Sequence, residues 1–359
     1  MPAAPTPSLA PLALTMGDPA GIGPEIILLA ASRDPLGLRD CVVYGDWDAM
    51  QRAAKVVQDS GRPVPLLERW HEGQDRSGWP TGVLALRPVA REKEGTDLPP
   101  WGQVDARAGR WAADAVRAAA QAALAGRVRG LVTAPLHKEA LALAGEPFPG
   151  HTELLQACAA KHAGCSVADV PVRMMLASPA LRTVLVSIHV SLRQAVESVT
   201  TEAVLETLRI THTAEQTQTG RTPRIAVAGL NPHAGEGGLM GREEIDAIAP
   251  AIALARAEGI DASGPWSPDT VFMRARHQAD RAGEFDVVVA MYHDQGLIPI
   301  KYLGLDEGVN VTLGLPFVRT SPDHGTAFDQ AGRATADPAS WLAALAWARR
   351  ASQSPSALA

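Results

Sequence analysis

The stretch Phe285-Asp-Val-Val-Val-Ala-Met-Tyr-His-Asp-Gln-Gly296 changes character halfway along. Its first half is an apolar run, the composition of a strand covered on both faces in a parallel sheet. Its second half opens into His293, Asp294 and Gln295 before Gly296, and the following "LIPIKY" carries Lys301. A turn alone needs only the glycine. Ligands in open α/β sheets gather outside the carboxyl ends of strands, so a histidine and an aspartate placed there point to a site.

The same arrangement recurs upstream. Thr183-Val-Leu-Val-Ser-Ile188 runs into His189, and Arg224-Ile-Ala-Val-Ala-Gly-Leu230 runs into Asn231-Pro-His233. A less direct case is Gly130-Leu-Val-Thr133, followed by His137 and His151. Leu12–Met16 and Cys41–Tyr44 are further strands, with one more at Gly82–Leu86. Helices are expected from Pro24, over 105–124, from Leu192 to about Thr213, over 242–258 and over 340–350. Strands alternating with helical stretches predict a mainly parallel α/β sheet. At 359 residues the chain exceeds the size at which one core stops growing, so two lobes are expected.

Composition narrows the function. The chain is 46% hydrophobic and 20% charged, as in ordinary globular proteins, and its net charge of −6 excludes a nucleic-acid groove or an anionic membrane surface as partner. No apolar run approaches the roughly 20 residues of a membrane helix. Residues 1–10 lack a basic start and are broken by prolines, so they read as a frayed tail. Cys41, Cys158 and Cys165 lack CxxC spacing, which predicts reduced thiols and a cytoplasmic location. Residues 71–103, rich in Gly, Pro and Trp and carrying the charged patch Arg91–Glu94, read as a surface excursion.

One strand-end histidine would be an ordinary ring bonded to a carbonyl. Three at equivalent topological positions, 44 and 60 residues apart, predict that His189, His233 and His293 converge on a divalent transition metal, with coordination positions left open. Asn231–Gly238 is rich enough in glycine to demand a special backbone path. Asp294 either orients a ring or caps a helix. Lys301 and Arg319, each beside apolar residues, are donors for a carboxylate or phosphate. Asn310 lies in a β-like stretch near them, and Gly150-His-Thr-Glu153 sits where a helix begins, a natural anion position.

Seven segments carry a family resemblance: "TMGDPAGIGPEI" (15–26), "TAPLHK" (133–138), "PFPGHTELL" (147–155), "NPHAGEGG" (231–238), "DTVF" (269–272), "MYHDQGLIPIKY" (291–302) and "GVNVTLGLPFVRTSPDHGTAFDQAG" (308–332). In this order, over about residues 12–350, the sequence resembles the 4-hydroxythreonine-4-phosphate dehydrogenases, the PdxA family of vitamin B6 biosynthesis. The resemblance implies oxidation of the C3 hydroxyl of 4-phosphooxy-L-threonine by NAD or NADP, then decarboxylation to 3-amino-2-oxopropyl phosphate. It implies one divalent metal (zinc, magnesium, cobalt or manganese) per active site, held by His189, His233 and His293 and shared across a homodimer. Substrate contacts fall on His151, Thr152, Lys301, Asn310 and Arg319, and Lys301 and Asp269 are the catalytic candidates. The general base stays open among Lys301, His137 and a metal-bound water.

The fold implied is two α/β/α lobes of the isocitrate/isopropylmalate dehydrogenase-like type, not a GxGxxG Rossmann domain. The first lobe, on the cofactor side, would take 1–128 and 312–359. The second, with the metal, the substrate and the dimer interface, would take 129–311. His324, Gly325, Thr326 and Asp329 resemble the adenosine-binding loop of those dehydrogenases. Departures from the family pattern are Ala134, the Pro-rich amino terminus and an extended 261–285. Family relatives acting on phosphorylated threonate or erythronate, or on aromatic dihydrodiols, are alternative readings. A three-histidine metal hydrolase and a non-catalytic anion-binding protein are more distant ones.

Overall fold

The computed structural model describes residues 10–76, 78–89, 97–304 and 307–353, so residues 1–9 of the tail and the patch Arg91–Glu94 lie outside the described residues. The chain divides into two units, Met1–Pro171 with Leu315–Ser352, and Val172–Gly314. Among the described residues no helix is long and apolar enough to cross a membrane.

The first unit holds β1 (Leu12–Thr15), α1 (Gly23–Arg33), β2 (Cys41–Gly45), α2 (Trp47–Asp59), β3 (Leu66–Arg69), β4 (Val83–Pro88), α3 (Ala106–Leu124), β5 (Gly130–Thr133), α4 (Lys138–Leu143) and α5 (His151–Ala163). The second holds β6 (Arg173–Ala177), β7 (Arg182–Leu185), α6 (Leu192–Glu197), α7 (Thr201–Thr219), β8 (Ile225–Ala228), α8 (Ala249–Ala257), β9 (Ala262–Trp266), α9 (Val271–Ala275), β10 (Val287–Ala290), α10 (His293–Tyr302) and β11 (Val309–Leu313). The chain then returns to the first unit with β12 (Val318–Pro322) and α11 (Ala339–Ser352).

In the first unit the strands run β3-β4-β2-β1-β5-β12, all parallel. In the second the order is β11-β6-β7-β10-β8-β9. There β6 pairs antiparallel with β11 and β7, while β7, β10, β8 and β9 are parallel. Each unit has its own core: Ala13, Val116, Leu131 and Leu155 in the first, Leu176, Val288, Leu297 and Ile300 in the second.

Two sequence expectations change, and one strand goes beyond them. The lobe boundary expected after residue 128 lies after Pro171, because β5 pairs with β1 and β12, and α3 packs on α4 and α5. The helix expected from Leu192 to Thr213 breaks into α6 and α7, since the Thr200 hydroxyl accepts from Ala203 N–H and starts a new helix. β9 was hidden because its Gly264-Pro265 reads as a breaker.

The exit of β1 binds closely to that of β5. Gly17 has φ 70°, and a Cβ there would come within 2.3 Å of the Pro135 carbonyl oxygen, so only glycine fits. Asp18 is buried, donates its N–H to Pro135 and accepts from Ala20 N–H at 2.8 Å through Oδ1. Its Oδ2 has no partner among the described residues. Burial pushes this carboxyl up to about 6, with Asp105 adding to the rise and the Ala20 N–H opposing it. A folded-state pKa above the unfolded one means stability that is fully present below the unfolded pKa and lost as pH rises through about 6. Asp18→Asn should therefore gain stability over the wild type as pH climbs from 4 to 7, by up to about 3 kcal/mol at 1.4 kcal/mol per pKa unit. Denaturant titrations across that range check this, and a pH-independent difference between the two proteins would contradict it.

Candidate active site

In the second unit the histidines sit where the strands deliver them. His189 follows β7, His233 follows β8, and His293 opens α10 directly after β10. The rings of His189 and His293 lie side by side, centroids 5.7 Å apart and planes tilted by 41°. Two imidazoles bonded to one ion at about 2.1 Å place their centroids roughly 5 Å apart, so this pair fits a shared cation. The hollow they line, about 220 Å³, is completed by Ser187, Val190, Leu192 and Tyr292. His293 Nδ1 lies 2.7 Å from Asp294 Oδ1, which leaves Nε2 as the ligating atom. Asp294 thus orients the ring. The residue at the helix cap is Tyr292, which makes no side-chain capping bond.

Gln295, which the sequence reading left without a role, ties the strand exits together. Its Oε1 accepts from Met291 N–H and its Nε2 donates to the Gly229 carbonyl, both at 2.7 Å. Gly296 lets α10 lie close to the sheet, because a Cβ there would come within 2.5 Å of the Leu185 side chain.

His233 stands on a left-handed turn, with φ positive at His233, Ala234, Gly235, Glu236 and Gly237. The buried Glu244 holds this path by accepting from Leu230 N–H and Asn231 N–H, both at 2.7 Å, and from Asn231 Nδ2 at 2.9 Å. Within one chain His233 does not join the other two rings, and among the described residues no three His, Cys, Asp or Glu side chains form a ligand group. Asp269 lies on the exposed loop after β9. The Ser267 hydroxyl donates to its carboxylate at 2.5 Å, and that bond, with nearby His233, holds its pKa below the usual carboxylate range.

Lys301 is exposed in the last turn of α10. Eight residues beyond His293 on a helix is about 12 Å along the axis, so the two occupy opposite ends of α10. Asn310 is half-buried on β11, in register with Leu176.

The first unit assembles the remaining candidates. Arg319 on β12 is buried, and its Nε and Nη2 donate to the Thr133 hydroxyl at 3.2 and 2.8 Å. Burial lowers the guanidinium to about 10, opposed by the Glu153 carboxylate, so it stays charged at neutral pH. Thr133 is a site residue that sequence reasoning missed, although it opens the quoted "TAPLHK". His151 begins α5 with Thr152 beside it, and burial, then the charge of Arg319, lower its pKa well below that of a free imidazole. It bonds to the Ala134 backbone, and its Nε2 is buried without a partner among the described residues, as a ligand-facing nitrogen would be. His137 is otherwise engaged: its Nδ1 accepts from Ala140 N–H, and its ring stacks on Phe328 at 4.7 Å.

After β12 the chain forms the loop carrying His324, Gly325, Thr326 and Asp329. His324 Nδ1 lies 3.0 Å from the Gly325 carbonyl oxygen, and its Nε2 is buried without a partner among the described residues. Thr326 is buried, Asp329 is exposed, and a Cβ at Gly325 would meet nothing within 4 Å. An open centre with an orphaned ring nitrogen fits a dinucleotide.

The chain is similar to known proteins over most of its length. The family model for pyridoxal phosphate biosynthetic protein PdxA matches residues 38–348. A 4-hydroxythreonine-4-phosphate dehydrogenase of Beijerinckia indica subsp. indica is 52% identical over 340 residues, covering 95% of this chain and 94% of its own. The crystal structure of a 4-hydroxythreonine-4-phosphate dehydrogenase from Klebsiella pneumoniae superposes with a TM-score of 0.83 at 38% identity, over 98% of this chain and all of its own. A terephthalate 1,2-cis-dihydrodiol dehydrogenase from Burkholderia xenovorans LB400 is more distant, with a TM-score of 0.63 at 30% identity over 92% and 94%. The chain belongs to the PdxA family and is an oxidoreductase of pyridoxal phosphate biosynthesis, a dehydrogenase class that works with a nicotinamide cofactor and a metal.

Proposed function

We propose that this protein oxidises the C3 hydroxyl of 4-phosphooxy-L-threonine with NAD or NADP in the cytoplasm, and that the β-keto acid then loses carbon dioxide to give 3-amino-2-oxopropyl phosphate. The observation that carries the reading is the pairing of His189 and His293 with Asp294 behind the second ring. When bound, a divalent ion (zinc, magnesium, cobalt or manganese) would supply positive charge to an oxygen that turns negative as its proton leaves ahead of the hydride, and again as the carboxylate departs. Neutral imidazoles suit that role because they leave the ion's charge undiminished. In the first unit Arg319, braced by Thr133, holds an anionic group together with His151 and Thr152; in the second, Asn310 and Lys301 are the substrate-binding donors. His137 is committed to its helix cap and its stack, so Lys301 is the side chain we assign as general base. Asp269, tightly held as an anion beside His233, serves as that ring's charge partner rather than as a proton acceptor.

We place the third ligand, His233, in a second copy of the chain. Large apolar side chains stand exposed near each histidine, Leu192 after His189, Leu239 (87% exposed) and Met240 after His233, and Ile298 after His293, with Tyr302 (91%) at the far end of α10. Surface of this kind marks an interface. A homodimer that covers it would also bring His233 and Lys301 of one copy toward the histidine pair of the other.

Steady-state reduction of nicotinamide by 4-phosphooxy-threonine, compared with phosphorylated threonate and an aromatic dihydrodiol, tests the substrate; higher kcat/KM on either alternative would overturn it. His233→Ala should lower metal content and cut turnover by at least a hundredfold, which an anion-binding protein would not show. Sedimentation should give a dimer at working concentration, and a fully active monomer would end the shared-site reading. Thr133→Val removes an acceptor from a buried guanidinium, worth about 1.5–3 kcal/mol, so KM for the phosphorylated substrate should rise about ten- to a hundredfold. An unchanged KM would show that Arg319 needs no such brace.

A further inference from the structure

The loop between Asp323 and Ala334 is built with fixed ends and an open centre, and the fixing comes from residues to which the reaction assigns no role. Glu25, in the first turn of α1, is buried, and its two oxygens accept from Gly332 N–H at 2.6 Å and Ala334 N–H at 2.7 Å. The intervening Arg333 N–H also bonds to it. Three successive backbone donors thus converge on one carboxylate, a concave nest that favours an anion. Ala334 has φ 52° and Gly332 φ 78°, a path that residues with a Cβ resist.

The same segment grips the loop's other end. Ile22 N–H donates to the Thr326 carbonyl at 3.0 Å, and a Cβ on Gly21 would lie 2.8 Å from that oxygen, so the approach depends on glycine. Phe328 is stacked on His137. Behind Gly332 stands Trp101, so close that a Cβ on Gly332 would come within 2.8 Å of the indole. Arg52 lies 3.8 Å over the Trp101 ring and donates to the carbonyls of Pro99 and Pro19. The end of the surface excursion at 71–103 thereby gains a purpose as the loop's backing.

We propose that Glu25 is a positioning residue that latches the 323–334 loop in its dinucleotide-binding shape, with Trp101 and Arg52 as its buttress. It touches neither substrate nor cofactor. It acts by fixing the backbone from which His324, Gly325 and Thr326 are presented, so the loop binds without first being ordered. This inference rests on reading the loop that carries His324, Gly325, Thr326 and Asp329 as the site of the NAD or NADP of the proposed reaction.

The test uses metal-loaded protein and NADH. Glu25→Gln keeps one acceptor but turns an amide N–H toward a backbone N–H. The dissociation constant for NADH, read by its fluorescence, should rise at least tenfold, as should KM for the dinucleotide. KM for the phosphorylated substrate and metal content should stay within twofold, and amide exchange at Gly332 and Ala334 should accelerate. Gly332→Ala, which pushes on Trp101 from the other side, should give the same split if the first variant folds poorly. NADH affinity within twofold of wild type in a folded variant overturns the latch, as does an equal rise in both KM values, which marks a general structural role. Wild-type protein that binds no dinucleotide overturns the cofactor reading and the latch with it.

Discussion

The candidate metal site depends on left-handed backbone at histidine. His189 and His233 have φ of 49° and 51°, a region where an L-residue costs roughly 1–2 kcal/mol. Ala234 and Glu236 share it, so the turn after β8 contains three strained side-chain-bearing residues among its glycines. Strain of this kind persists only where surrounding contacts over-determine it. Here the compensation is Glu244, which satisfies two consecutive backbone N–H groups and an asparagine amide from one buried carboxylate. Charge-assisted bonds of about 1.5–3 kcal/mol each suffice to hold the turn. The strain points an imidazole off the strand end at an angle that regular helix or strand backbone would not reach.

The same logic separates what could be read in the sequence from what could not. Strands β1, β2, β5, β7, β8 and β10 were visible because burial on both faces demands near-continuous apolar runs, and the histidines were visible because they terminate such runs. β6 hid because antiparallel strands leave a weaker signature, with Arg173 inside it, whereas its partner β11 is legible as the β-like stretch around Asn310. Local sequence could not separate the two roles of Asp294, since a cap and a ring partner use the same residue at the same place; only the 2.7 Å contact decides. The lobe boundary failed for a different reason. Gly130–Thr133 has the composition of any buried strand, and nothing in its letters says that β12, some 190 residues on, will pair with it. Glu25 was passed over similarly, because its partners lie more than 300 residues away in the chain.

Arg319 shows why the anion end of such a site uses arginine. Burial brings its guanidinium down to about 10, which still leaves it cationic at neutral pH. A lysine starts near 10.4, and the same environment would bring it to roughly 8, where part of the population loses its proton and its hold on a phosphate. Guanidinium also offers its donors in a fixed fork, and two of its nitrogens converge on the Thr133 hydroxyl. Permanent charge therefore belongs at the buried position. His151 beside it is kept neutral first by burial and then by the guanidinium's charge, and an anion arriving there offsets part of the second effect.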